Sequence, residues 1–175
     1  MKKFFLAALA AFALITPLSA GAGQLSGATI KANQVFLLDF FNFRIRKVEW
    51  MPAAKPLVQA AYADDAAGSG AIVLTIELRN ASGDARGLPD PVIQVIQRDG
   101  TQTTAEARTA YTPGGKQIDG DYQPGDGPTV RFVIPNISKP TASNPITKIV
   151  FTPSYTGDTG PAIFRFYNPV VVISP

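Results

Sequence analysis

The chain has 175 residues, 15 of them glycine and 15 proline, with neither cysteine nor histidine and a formal charge of +3. This inventory excludes thiolate and imidazole catalysis, zinc held by Cys or His ligands, and any disulfide staple. Setting aside Lys2 and Lys3 leaves 14 basic against 13 acidic residues, a net +1, so composition gives nucleic-acid binding no support and no run of like charges marks a patch.

Residues 1–22 read as a secretory leader. Lys2 and Lys3 form the basic start, an uncharged stretch runs from Phe4 to Ile15, and Ala20-Gly21-Ala22 supplies the small-residue cleavage pattern. That apolar stretch is too short to span a bilayer comfortably, and no second long apolar segment follows it. A lipoprotein anchor needs a cysteine at the cleavage point, and the chain has none. The expected location is therefore periplasmic or secreted, free of any membrane span. Residues 23–175 are expected to form one domain, long enough to bury a core unaided.

Val35–Trp50 is apolar beyond simple alternation. Read as one strand, it puts Phe36, Leu38 and Phe40 on the face of Arg44 and Arg46, with Val35 and Leu37 opposite. Near Lys47 the frame shifts, because Val48 and Trp50 alternate out of step with Ile45, and a β-bulge is expected there. Apolar residues on both faces need cover. Two sources are open. The Ala-rich segment Pro52–Ser69, with a short helical turn within 56–63, folds back so that Leu57, Val58 or Tyr62 contacts Phe36, Leu38 and Phe40. Otherwise these three form an exposed patch of the kind that marks a partner site.

Further along, Ala71–Arg79 alternates. Ile72, Leu74, Ile76 and Leu78 share one face and Thr75, Glu77 and Arg79 the other, which predicts a half-buried strand. Val92–Gln97 runs into Asp99-Gly100, a hairpin turn signal, and returns as Thr101–Ala107. Pro113–Pro128 is a turn-dense loop. Strands over Thr129–Ile134, Ile146–Phe151 and Ala162–Tyr167 each stop at or just before a proline, and Val170–Ile173 follows. The predicted fold class is all-β, an antiparallel sandwich of about seven to nine strands. Its expected core comprises the four inward residues of Ala71–Arg79 together with Phe132, Ile134, Ile149, Phe151, Phe164 and Phe166, while Arg131 and Arg165 point outward.

Ile76-Glu-Leu-Arg-Asn80, Gln97-Arg-Asp-Gly100, Gln123-Pro-Gly125 and Arg131-Phe-Val-Ile-Pro135 together resemble the turn pattern of immunoglobulin-like sandwich domains of unknown function found in exported bacterial proteins. The similarity covers roughly Ala71 to Tyr167, and the Ala-rich insertion before Ala71 departs from it. The resemblance implies an immunoglobulin-like sandwich with an interaction or structural role and no active site to transfer.

Asp119, Asp121 and Asp126 cluster in a glycine-rich loop, where oxygen ligands for a hard cation would sit. Their spacing does not match the helix–loop–helix calcium loop, and aspartate beside glycine is ordinary turn chemistry, so no metal or cofactor is assigned. Glu49, Glu77, Glu106 and several aspartates keep a carboxylate-pair glycoside hydrolase open as a third reading. Asn80-Ala-Ser82 and Asn136-Ile-Ser138 match the N-glycosylation pattern but sit at strand ends, where turns are expected. Tyr111, Tyr122, Tyr155 and Tyr167 fall near loops, placed for exposed contacts. The candidate interface is therefore Phe36, Leu38, Phe40, Trp50, Tyr111 and Tyr122. The leading function is a non-enzymatic interaction or structural module with a protein or cell-envelope partner. The alternative is a carbohydrate-binding module for extracellular polysaccharide.

Overall fold

A computed structural model of the chain describes residues 27–62, 69–107, 109–154 and 163–175. The leader at 1–22 and Tyr155 lie outside the described residues. The elements are β1 Gly27–Ile30, β2 Val35–Leu38, β3 Phe41–Met51, α1 Pro56–Ala61, β4 Ala71–Asn80, β5 Arg86–Gly87, β6 Val92–Gln97 and β7 Gln102–Glu106. They continue with β8 Ala110–Tyr111, β9 Gln117–Ile118, β10 Asp121–Tyr122, β11 Thr129–Pro135, β12 Ile146–Thr152, β13 Ile163–Tyr167 and β14 Val171–Ile173. The described strands number 14 rather than seven to nine; those beyond the expected ones are β1, the two-residue β5, β8, β9 and β10, and the division of Val35–Trp50 into β2 and β3.

Two sheets face each other. The smaller runs β1-β13-β12-β6-β7, and the larger runs β14-β3-β4-β11-β8-β9 with β2 also paired to β3. A two-stranded ribbon, β10-β5, lies apart from both. The fold is a β-sandwich, mostly antiparallel. It departs from the purely antiparallel expectation at two edges, where β1 runs parallel to β13 and β14 parallel to β3. Both pairings join strands far apart in sequence, which local alternation does not reveal.

Alternation does set the core. Ile72, Leu74, Ile76 and Leu78 of β4 and Phe132 and Ile134 of β11 are buried, as are Ile149 and Phe151 of β12 and Phe166 of β13. Phe164 is partly buried against the same cluster. The expected Asp99-Gly100 turn joins β6 to β7, with Ile96 opposite Gln102 and Gly100 at φ +89°. The expected bulge is present too, as a register shift between Ile45 and Lys47 in the pairing of β3 with β4.

The segment 35–50 is not one strand. Asp39 and Phe40, at φ +47° and +68°, form a two-residue turn, and β2 doubles back on β3 with Leu38 opposite Phe41 and Phe36 opposite Phe43. Positive φ at both central residues matches the twist of a tight hairpin. The reversal puts Phe36 and Leu38 on the same inward face as Phe41, Phe43 and Ile45, and all five are buried. Their cover is the opposite sheet: the Phe36 ring lies 4.8 Å from Phe164 and 5.4 Å from Phe151. The expectation that Leu57, Val58 or Tyr62 covers this face is thus incorrect, as is the alternative that Phe36 and Leu38 are exposed.

Helix α1 covers the other side of the larger sheet. Pro56 opens it with a preset φ. Six residues are too few for a helix to stand alone, so packing must hold it. Leu57 and Val58 bury against Met51, Ala71, Val73, Tyr111 and Val133, and the Tyr62 hydroxyl donates to the Val133 carbonyl at 2.5 Å. The first four residues of β4 are consequently buried on both faces, so only its second half is the half-buried strand expected.

At the far end of β4, Asn80 organises the loops. Its Nδ2 donates to the carbonyls of Asp84 and Tyr122 at 2.8 and 2.7 Å, and its Oδ1 accepts from the Ser82 N–H and hydroxyl. Its backbone N–H donates to Asp126 O, and its carbonyl accepts from Gly125 N. The Asn80 amide is thus consumed by the fold.

Two stability tests follow from these contacts. Phe132→Ala, at a wholly enclosed site, should cost about 3–5 kcal/mol in urea unfolding. Asn80→Asp, which keeps the shape but removes the Nδ2 donor, should cost roughly 2–4 kcal/mol because two loop carbonyls lose their partner. A loss below about 1 kcal/mol in the same unfolding experiment would mean that water replaces the amide.

Candidate functional site

The outer face of the larger sheet carries the polar chemistry. Register places Leu37, Asn42 and Arg79 in one row across β2, β3 and β4, and Val35, Arg44, Glu77 and Thr129 in the next. The bulge then turns both Arg46 and Lys47 outward, followed by Thr75, Arg131 and Tyr111 in the row of Lys47. Glu49 and Val73 come after, and beyond them α1 covers the sheet. One end of this face is roofed by a helix, and the other is open among the described residues.

Where roof meets open face lies an enclosed ionic cluster. Glu49 is 5% exposed. Its carboxylate accepts from Lys47 Nζ at 2.6 Å and from Arg131 Nη2 at 3.0 Å, and the Ser174 hydroxyl donates to it at 3.3 Å. Burial pushes the Glu49 carboxyl up, but hydrogen bonds and charge from Lys47 and Arg131 outweigh it and hold the pKa below the ordinary value. Arg131 does lie on the outer face, as expected, yet it is largely enclosed in this cluster.

The open end is an arginine groove of about 300 Å³, bordered by Val35, Asn42, Arg44, Glu77 and Arg79. Arg46 holds Glu77 Oε2 through Nε at 2.9 Å and Nη2 at 2.7 Å, while Arg44 reaches it only at 3.7 Å. Arg79 makes no ion pair among the described residues. Two guanidinium groups thus share one carboxylate, and Arg79 lines the same groove. Val35 and Leu37, on the same face, are 43% and 55% exposed.

Among the six candidate interface residues, the structure contradicts most of the expected exposure. Phe36 and Leu38 are core. Trp50 is buried, its Nε1 donating to Ile137 O at 2.9 Å. Gly70 packs flush against the indole at φ +110°, where any Cβ would collide with Trp50 and the Met51 carbonyl. Tyr111 is buried under α1, its hydroxyl 3.4 Å from Ala60 O, and burial raises its pKa. Tyr122 is half-buried on the core, its pKa raised by burial and by Asp119. Phe40 is 39% exposed, with the Arg86 guanidinium 4.6 Å above its ring. The candidates are therefore scattered and form no common surface. Sequence reading missed Val35, Leu37 and the arginines. The available signal was the three-residue step from Leu38 to Phe41, which keeps both inward only if two residues turn between them.

Asp119 and Asp121 line a separate cavity of about 290 Å³ with Asp90, whereas Asp126 lies at the Asn80 turn through its backbone. No three potential metal ligands converge among the described residues. Glu49, one of the carboxylates a glycoside hydrolase could use, is held below its ordinary pKa, the opposite of what a general acid needs. No helix among the described residues is long and apolar enough to cross a membrane.

The lowered Glu49 pKa fixes a pH dependence. Its folded value lies below that of the unfolded chain, about 4.3, so the stabilisation is complete above that pH and is lost as pH falls through the folded pKa. Glu49→Gln should lower stability at pH 7 by about 3 kcal/mol, since Arg131 loses its counter-ion. The variant should also flatten the acid limb below about pH 4.5. Thermal melts of both proteins between neutral and acid pH check this. Parallel acid limbs would assign the acid sensitivity to other carboxylates.

No family model matches the chain, and no curated protein matches it. A solved structure does: an uncharacterized β-sandwich protein from Clostridium difficile 630, 13% identical, with a TM-score of 0.53 over 86% of this chain and 100% of that one. At this identity the likeness speaks for the fold, a β-sandwich, and for nothing more specific.

Proposed function

We propose that the protein is a non-enzymatic interaction module, exported to the periplasm or beyond, that binds a protein partner through the open outer face of its larger sheet. One observation carries the reading. Exposed Val35 and Leu37 share that face with three arginines and a single glutamate. Aliphatic contact beside unbalanced guanidinium groups is the composition of a protein-binding surface, in which arginine is enriched. The leader pattern in residues 1–22 supports export, and the turn motifs around Asn80, Asp99-Gly100 and Pro124-Gly125 support an immunoglobulin-like type of sandwich.

The carbohydrate-binding alternative needs an exposed aromatic platform, and burial of Trp50 and Tyr111 withdraws its two best members. The hydrolase reading needs a carboxylate that can hold a proton near neutral pH. Glu49 and Glu77 are instead committed to cations.

Site-specific photocrosslinking in the producing cells tests the proposal. A benzophenone side chain at Leu37 should give a protease-sensitive adduct of higher mass, and the same group at Thr104, on the exposed outer side of β7, should not. Equal labelling at both positions, or an adduct resistant to protease and digested by glycosidases, would defeat the reading.

A further inference from the structure

We infer that the partner docks as an extended, acidic polypeptide segment laid along β2 over the arginine groove; this rests on the interaction-module reading above. The charge on the groove is unspent. Glu77 Oε2 is held closely by Arg46, so the 3.7 Å contact of Arg44 Nη1 to the same oxygen adds little and leaves that end of the guanidinium able to meet a ligand. Arg44 Nε is buried with no hydrogen-bond partner among the described residues. That buried end anchors the side chain, which is 39% exposed, and its outer part is what an incoming carboxylate can meet. Arg79, exposed and with no ion pair among the described residues, supplies a second guanidinium on the same wall.

The apolar part of the surface sets the form of the ligand. Val35 and Leu37 are two residues apart on an extended strand, hence about 7 Å apart on one face. That is the repeat of alternate side chains on another extended strand. Among the described residues β2 pairs only with β3, so its outer edge offers backbone groups for strand addition. Apolar side chains alternating with acidic ones would place the first on Val35 and Leu37 and the second on Arg44 and Arg79. A polysaccharide would want ring platforms, and a nucleic acid would want aromatic stacking and no central glutamate. This face has Glu77 and aliphatic residues instead.

Fluorescence anisotropy on the full mature chain tests this with a labelled, acetylated peptide of alternating Val and Glu, about ten residues long. It should bind at least about tenfold more tightly than a Val-Lys peptide or an oligogalacturonate of similar length, and more weakly as salt rises. Arg44→Glu with Arg79→Glu should abolish the preference for the acidic peptide, and Leu37→Asp should weaken binding by about tenfold or more. Circular dichroism melts confirm that the variants are folded; if the double charge reversal is not, Arg44→Gln with Arg79→Gln takes its place. Equal binding of the Val-Lys peptide, tighter binding of the oligogalacturonate, or unchanged affinity in the arginine variants overturns the inference. A protein adduct at Leu37 without acidic-peptide binding would sink this inference alone, whereas loss of the adduct sinks the module reading.

Discussion

The extra residue in β3 between Ile45 and Lys47 decides what each face of the larger sheet is made of. Side chains alternate strictly along a strand, so without it the inward parity of Ile45 would carry on to Lys47, Glu49 and Met51. Two charges would then enter the core, and Val48 and Trp50 would face out. The bulge resets the parity. Val48 and Trp50 join Leu74, Ile72 and Phe132 inside, and Glu49 moves to the outer face where Lys47 and Arg131 can meet it. Because a bulge sets two successive residues against one, it also presents Arg46 and Lys47 together on the outside. The same irregularity that seals the core therefore concentrates positive charge on one surface.

That surface is graded along the strands. At the Met51 end α1 makes a second small core, and β4 is buried on both faces. At the Asn42 end nothing among the described residues covers the sheet, and arginines stand beside exposed aliphatic groups. The Glu49 cluster lies between, and its enclosure makes it a structural joint: Ser174 reaches it from just beyond β14, tying that last parallel strand to the bulged one. The exposed pairs of Glu77 with Arg44 and Arg46 differ in kind. Solvent-exposed ion pairs contribute about 0–1 kcal/mol, so the groove adds little to the stability of the fold.

Much of the sandwich was legible because its signals are local. Alternation placed the inward residues of β4, β11 and β12, Asp99-Gly100 placed a hairpin, and the phase change near Lys47 placed the bulge. The Asp39-Phe40 turn was not legible in the same way. Tight hairpins favour Asn-Gly or Asp-Gly, and Phe at φ +68° is an unusual occupant that no composition rule flags. Missing that turn inverted the reading of β2 and sent Val35 and Leu37 to the wrong face. The arginine groove was hidden for another reason. Arg44 and Arg79 meet only because β3 and β4 pair, and a charge patch assembled across strands leaves no run in the sequence. Tyr111 looked exposed by its nearness to a loop, whereas its burial depends on α1 and that of Trp50 on the Ile137 carbonyl, contacts made at long sequence separation.

The energetics separate the two clusters on the outer face by what a substitution there can report. Glu49 is enclosed, and taking away either side of its ion pairs strands a charge away from water, so a phenotype at that site reads as a folding defect before anything else. Arg46 and Arg79 are exposed and Arg44 partly so, on a backbone already fixed by the core beneath them. Phe43 and Leu78, the inward neighbours of Arg44 and Arg79, are fully buried whatever the outer side chains are. Charge reversal in the groove therefore changes the field that a partner meets while leaving the packing intact. Three arginines beside a single glutamate contribute little to stability within the molecule, and their charge acts on what approaches from outside.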